Sequence, residues 1–259
     1  MKIAVDFPSV AYREGPHQVL ALASAIEQIG YDEIAAFDHV VMGYPSQDRR
    51  TIYPAEMPIL EALMLLANIA AVTSKVSLST EVLVLPQRQP VLVAKQISTL
   101  DTLSQGRVRL GIGVGWQDSE YDALEEDFST RGRRMDEAID LLRSYWQGGR
   151  IEFRGSYYDS HDMGMEPVSP QGANIPIWVG EKALPHCGEL PKRLTDGWHQ
   201  ELPMNKRSSA LPISDAKLKN SVVIRQKSGF NSCCNHPPEA MRTNFSTQTS
   251  MLWPSGPPS

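Results

Sequence analysis

An acid and an imidazole stand side by side in FDHVV, residues 37–41, at the end of a short apolar run. Imidazole exchanges protons near neutral pH and can donate to a bound ligand, which makes His39 the first candidate for chemistry. A histidine that only caps a loop would look the same, and the residues alone leave both readings open. Successive strand residues point to opposite faces, so adjacency does not make Asp38 and His39 a catalytic pair. A second acid, Glu81, interrupts the apolar KVSLSTEVLVL. Inside a buried strand a carboxylate is costly unless it is paired or lies at a site mouth, and an edge position would remove the cost.

RVRLGIGVGW, residues 107–116, raises a different question, because glycines weaken a strand unless something must approach its backbone. A dinucleotide fingerprint requires GxGxxG. Gly111 and Gly113 are followed by Trp116 in the third place, and Gly113 and Gly115 by Asp118, so both registers fail. No Walker lysine motif is present either. Alternation instead sets Gly111, Gly113 and Gly115 on one face, running to the C-terminal strand end where parallel α/β folds hold ligands. Either a ligand lies against that bare face or a neighbouring element packs tightly on it. The charges of RGRRMDE, residues 131–137, read as a solvated helix face rather than a phosphate site.

These residues need a frame. Up to about residue 200 the chain alternates strand with helix, the pattern of a parallel sheet covered by helices, and a barrel or an open sheet accommodates it. KIAVDF is a strand, and Pro16 opens a helix that sets Val19, Leu22, Ala23 and Ile26 on one face before Gly30 stops it. EIAAFD, residues 33–38, is a second strand. The polar loop over 39–56 is long for a scaffold connection and therefore a candidate functional loop. A helix over 58–72, a single strand KVSLSTEVLVL and a helix from Pro90 to Gly106 follow, the last stacking Val93, Ile97 and Leu100. Behind the glycine-rich strand, Met135, Ile139, Leu142 and Trp146 share a helix face, with Trp146 read as core.

FRGSYYDSH reads as a small excursion, IPIWVG at 175–180 as a fifth strand and DGWH at 196–199 as a sixth. Between them ALPHCGELPKRL forms a helix weakened by two prolines, and Ser214 caps one more helix through Leu218 and Val222. Beyond Lys227 the charges reduce to Glu239 and Arg242 among clustered prolines and serines. The expected division is a folded domain over 1–227 and a disordered tail over 228–259.

A chain of 259 residues with net charge -5 carries no basic stripe, which argues against nucleic acid and for a small-molecule partner. The chain opens on a strand rather than an apolar signal segment. Its longest apolar run is broken by Glu61 and too short for a bilayer, so a cytoplasmic protein without membrane attachment is expected. Cys187, Cys233 and Cys234 form no CxxC pair or disulfide framework, and no metal site is expected.

Several segments in linked order carry a resemblance: residues 80–124 with the glycine-rich strand, RGRRMDEAIDLLRSYW, IPIWVG and DGW. From the N-terminus to residue 226 the chain resembles the luciferase-like flavin and deazaflavin oxidoreductases, and within them is most similar to coenzyme F420-dependent oxidoreductases. The resemblance implies an α/β (β/α)8 TIM barrel with a planar ring cofactor across its C-terminal mouth. That cofactor is F420, an 8-hydroxy-5-deazaflavin, with FMN as the alternative. The implied activity is hydride transfer to or from an unidentified small organic substrate, in a homodimer. An FMN-dependent monooxygenase is the nearby alternative.

Carried over by position, Gly113, Val114 and Gly115 lie near the ring or ribityl chain, and a non-proline cis peptide falls at Thr80, Glu81 or Val82. Asp38 and His39 match the family's acid and histidine after strand two, with His39 contacting the ring or assisting proton transfer. Gly180 matches the first of two phosphate-holding glycines. Glu181 replaces the second, where a carboxylate would repel an anionic tail. Trp116 stands where sugar-phosphate-oxidising relatives carry a glutamate, which speaks against that substrate class. The composition after Lys227 does not supply the family's last two strand and helix units, so a barrel incomplete at its C-terminus is expected. A non-catalytic remnant or interaction protein is the reading from another class.

Overall fold

Pro16 and Gly30 bracket the first helix of the computed structural model, which describes residues 3–47, 51–180 and 197–199. Strand β1 (Ala4–Asp6) leads into α1 (Pro16–Ile29), which Gly30 ends at a φ of 96°, in the left-handed region that glycine adopts freely. Strand β2 (Glu33–Ala36) follows. Helix α2 (Ala62–Ala70) starts later than Pro58, because the Glu61 carboxylate caps it by accepting the Met64 amide at 2.7 Å.

The run expected as one strand is two, β3 (Ser77–Thr80) and β4 (Leu83–Val84), with a cis peptide bond between Glu81 and Val82. Next come α3 (Pro90–Leu103), β5 (Val108–Gly113), α4 (Asp118–Ala123) and α5 (Arg131–Gln147). The excursion is an antiparallel hairpin of β6 (Ile151–Arg154) and β7 (Asp159–Met163). Strands β8 (Ile177–Gly180) and β9 (Gly197–His199) close the described order.

The main sheet runs β1-β2-β3-β5-β8-β9, every pair parallel, with β4 also pairing β5. Parallel neighbours need crossovers, and α1, α2, α3 and α5 supply them. Alternation then gives the sheet two unlike faces. Ile34, Leu78, Leu110, Ile112, Ile177 and Val179 join the apolar core with the predicted helix positions Val19, Ala23, Ile26, Val93, Ile97, Leu100, Met135, Ile139 and Leu142. Trp146 is core as predicted, fully buried with its indole N–H donating to the Ala94 carbonyl at 3.0 Å.

The other face is polar where it begins. Ser79 Oγ donates to Glu33 at 2.8 Å, Arg109 Nε donates to the same carboxylate at 3.0 Å, and Arg109 Nη2 reaches Glu81 at 2.6 Å. The guanidinium also lies 4.3 Å from the Trp178 ring centre. Glu81 is therefore a paired buried acid, one of the alternatives its position in the sequence allowed.

The solvated face expected for RGRRMDE is corrected. Arg134 and Asp136 are buried, and Arg134 pairs with Glu126 while donating to the Asp127 carbonyl at 3.1 Å. Glu137 accepts the amides of Ser156, Tyr157 and Tyr158 at 2.7–2.9 Å, fastening the hairpin turn to α5. These charges hold structure together. The proline-weakened helix, the helix from Ser214, Glu181, the three cysteines, the boundary at 227 and the closure of the barrel all lie outside the described residues. Among the described residues no helix is long and apolar enough to cross a membrane, and no group of three or more acids, histidines or cysteines is placed to hold a metal ion.

Candidate active site

Phe37, Asp38 and His39 run off the C-terminal end of β2, and the two polar side chains take different partners. His39 Nδ1 lies 2.9 Å from Glu120 Oε2, in α4. The other oxygen, Oε1, accepts the Val40 amide at 2.6 Å and the Val41 amide at 3.2 Å. Gln117 Nε2 donates to the Val41 carbonyl at 3.0 Å, so α4 and its leading residue grip the start of the long loop at several points. Burial by itself would raise the Glu120 carboxyl. The hydrogen bonds with His39 and with the Val40 amide outweigh it and hold the group below the usual carboxylate range.

His39 is only 6% exposed and sits among rings. Its centroid is 5.2 Å from Phe37, 5.6 Å from Trp116 and 6.0 Å from Tyr53, and Tyr53 and Trp116 are 6.1 Å apart, all edge to face. Trp116 is 37% exposed, so this wall faces outward in part. Tyr53 comes from the loop expected to be functional.

Asp38 turns to the sheet's neighbouring elements instead. Its carboxylate accepts Arg88 Nη2 at 2.6 Å and the Val84 amide at 3.0 Å, and Arg88 also reaches Glu61 at 3.2 Å. Burial pushes the Asp38 carboxyl up, against the pull of Arg88 and Val84. This acid ties the end of β2 to β4 and to the start of α2.

Gly111 and Gly113 of β5, and Gly115 just beyond it, have their close neighbours in residues 80–84, from the end of β3 to β4. A Cβ on Gly111 would stand 2.1 Å from the Thr80 carbonyl oxygen, one on Gly113 2.6 Å from Val82 Cγ2, and one on Gly115 2.7 Å from Val84 Cγ1. Thr80 Oγ1 also donates to the Gly111 carbonyl at 2.6 Å. Gly180, on β8, presents its bare position 3.6 Å from the same Val82 methyl. Tight packing, one of the two explanations the glycines allowed, thus accounts for Gly111, Gly113 and Gly115. Val114 is buried, and its carbonyl accepts the Tyr121 hydroxyl at 2.6 Å. Burial pushes that phenol well up.

Gly111, Gly113 and Gly180 are thereby brought together around Val82, Thr80 is packed on Gly111, and His39 is joined to Trp116. Glu81 is engaged by Arg109. Glu120 and Arg109 went unrecognised in the sequence. Glu120 is one of several acids after GWQ, and only its spacing from Trp116, one helical turn on, distinguishes it.

Residues 3–208 match the family model of the luciferase-like monooxygenases. The chain belongs to that family. Over 188 residues this luciferase-like protein is 34% identical to the uncharacterized protein Rv0940c of Mycobacterium tuberculosis, across 69% of this chain and 63% of that one. A protein named F420-dependent glucose-6-phosphate dehydrogenase, from Nocardia farcinica, is 28% identical over 230 residues, 85% of this chain and 65% of its own. Among solved structures, the oxygenating constituent of 3,6-diketocamphane monooxygenase from Pseudomonas putida, in complex with FMN, has a TM-score of 0.57 at 17% identity, covering 76% of this chain and 56% of that one. That likeness shows the fold. The matched part of the chain spans less than two thirds of each of these proteins. The family contains oxidoreductases and monooxygenases, with F420-dependent and flavin-dependent members.

Proposed function

We propose that this luciferase-like protein is an oxidoreductase that transfers hydride between F420 and a small organic substrate, with His39 as the residue that handles the proton. The observation that carries this reading is the placement of His39: a buried imidazole at the C-terminal end of a parallel strand, held by Glu120 and walled by Tyr53 and Trp116. F420 is preferred over FMN because the relative that aligns over 85% of this chain is named for F420.

The residues present fit a planar ring. The edge-to-face cluster of His39, Tyr53 and Trp116 offers apolar contact to it, and the buried Gln117 Oε1, with no hydrogen-bond partner among the described residues, is an acceptor for a ring N–H. In this reading Thr80, Gly113, Val114 and Gly115, with Val82 packed among them, form the bed that holds the cofactor, and Gly180 forms its edge. Asp38 and Glu81 keep that bed in place through Arg88 and Arg109. The bound ring supplies the hydride chemistry. The chain supplies orientation, exclusion of water and, at His39 Nε2, the position that takes up or returns the proton.

The family's monooxygenases support a second reading, an FMN-dependent enzyme. Equilibrium titration of the full chain with F420 and with FMN, followed by cofactor fluorescence, separates them. Saturable binding of F420 is expected, binding of FMN alone would favour the monooxygenase, and binding of neither would favour an interaction protein.

A further inference from the structure

Three nitrogens converge on one buried carboxylate. Glu120 Oε1 accepts two consecutive backbone amides, at 2.6 Å from Val40 and 3.2 Å from Val41, and Oε2 faces His39 Nδ1 at 2.9 Å. Backbone amides can only donate, so Oε1 carries no proton; with the carboxyl held below its usual range Oε2 carries none either, and an ionised carboxylate is acceptor-only. The Glu120 side chain is 1% exposed, which leaves these partners rather than water to satisfy it. Among the described residues no hydrogen bond reaches the other ring nitrogen of His39.

We infer that Glu120 is a positioning residue that fixes His39 as the tautomer protonated at Nδ1, leaving Nε2 as the lone-pair nitrogen that takes the substrate's proton. The same carboxylate sets the ring's place, because the amides of Val40 and Val41 lock the backbone that follows it. One acid therefore determines both where the imidazole sits and which nitrogen can accept. This inference rests on the reading of His39 as the proton-handling group. The proton bookkeeping is simple: when a substrate hydroxyl is oxidised, its O–H proton passes to Nε2 and its C–H hydride to the ring cofactor, and reduction reverses both.

Glutamine at 120 gives a sharp expectation. Its carbonyl oxygen must stay at the Oε1 position to accept the two amides, so its NH2 falls opposite His39 Nδ1 and can only donate there. His39 must then accept at Nδ1 and carry its proton on Nε2. Glu120→Gln should keep the backbone clamp and invert the tautomer.

The test is a long-range proton–nitrogen NMR spectrum of the full chain labelled with nitrogen-15 histidine, with His39 assigned by its loss in His39→Gln. The wild-type spectrum should show the Nδ1–H pattern for His39, and Glu120→Gln the Nε2–H pattern. A wild-type Nε2–H pattern, or a pattern that Glu120→Gln leaves unchanged, would overturn the inference. Should Glu120→Gln not fold, the wild-type pattern still decides. Because no cofactor is present, the outcome is independent of the F420 titration: an Nδ1–H pattern in a chain that binds no F420 sinks the proposed function while leaving the tautomer assignment intact.

Discussion

At the scale of single residues, the chain places atoms by exclusion as much as by attraction. Gly113 has no room for a Cβ because Val82 Cγ2 would be 2.6 Å away, and valine is stiff at its only side-chain torsion. Gly113→Ala should therefore cost about 1 to 3 kcal/mol of stability, as overpacking does. Adding Val82→Ala to the same chain should recover most of that loss in urea denaturation, a coupling expected only of residues in contact. Glu120 predicts a pH effect. Its folded value lies below the ordinary 4.5, so its contribution to stability is full above that value and is lost as pH falls through the folded one. Asp38, raised by burial, works with the opposite sign. Chemical denaturation across the acid range should show a shallower loss of stability in Glu120→Gln than in the wild type. Of these residues, His39 and the glycines were legible in the sequence because imidazole and repeated glycine are rare signals. Glu120 was not, since one acid among Asp118, Asp122, Glu125 and Glu126 becomes distinct only when α4 is folded against the loop.

At the scale of elements, periodicity identified the scaffold and missed its exceptions. The helices α1, α3 and α5 bury the faces their spacing predicts, because an apolar stripe can be satisfied only against the sheet. The break between β3 and β4 left no mark in the residue types of KVSLSTEVLVL, which suit a continuous strand; the family resemblance, not periodicity, placed a cis peptide at Thr80, Glu81 or Val82, and it lies between Glu81 and Val82. Charge in RGRRMDE looked solvated because ordinary helix charges are; Arg134 and Glu137 depart from this because the hairpin and the segment before α5 supply their partners from elsewhere in the chain. The polar face of the sheet yields the clearest prediction. Arg109 is the cation between Glu33 and Glu81, and Arg109→Met would leave both carboxylates without it. Removing one member of a buried ion cluster costs about 3 to 5 kcal/mol, to be read in urea denaturation. Converting Glu33 and Glu81 to glutamine in the same chain should restore part of it.

At the scale of the whole molecule, the sheet's two faces divide the work: one seals an apolar core beneath the helices, and the other runs from the Glu33–Arg109–Glu81 cluster to Gly113 and Gly180 packed around Val82. The family and its parallel sheet were legible because several segments recur in fixed order. The choice between F420 and FMN was not, since both are planar rings of similar shape. F420 at 100 times its dissociation constant should stabilise the folded chain by about 2.7 kcal/mol, read as a rise in thermal midpoint that FMN does not give. The most direct test of cofactor and histidine together is titration of the nitrogen-15 histidine-labelled chain with F420. The His39 ring nitrogens should shift saturably with added F420 and stay in place with FMN. A His39 signal indifferent to F420, or one that moves with FMN alone, would contradict a deazaflavin site built around this residue.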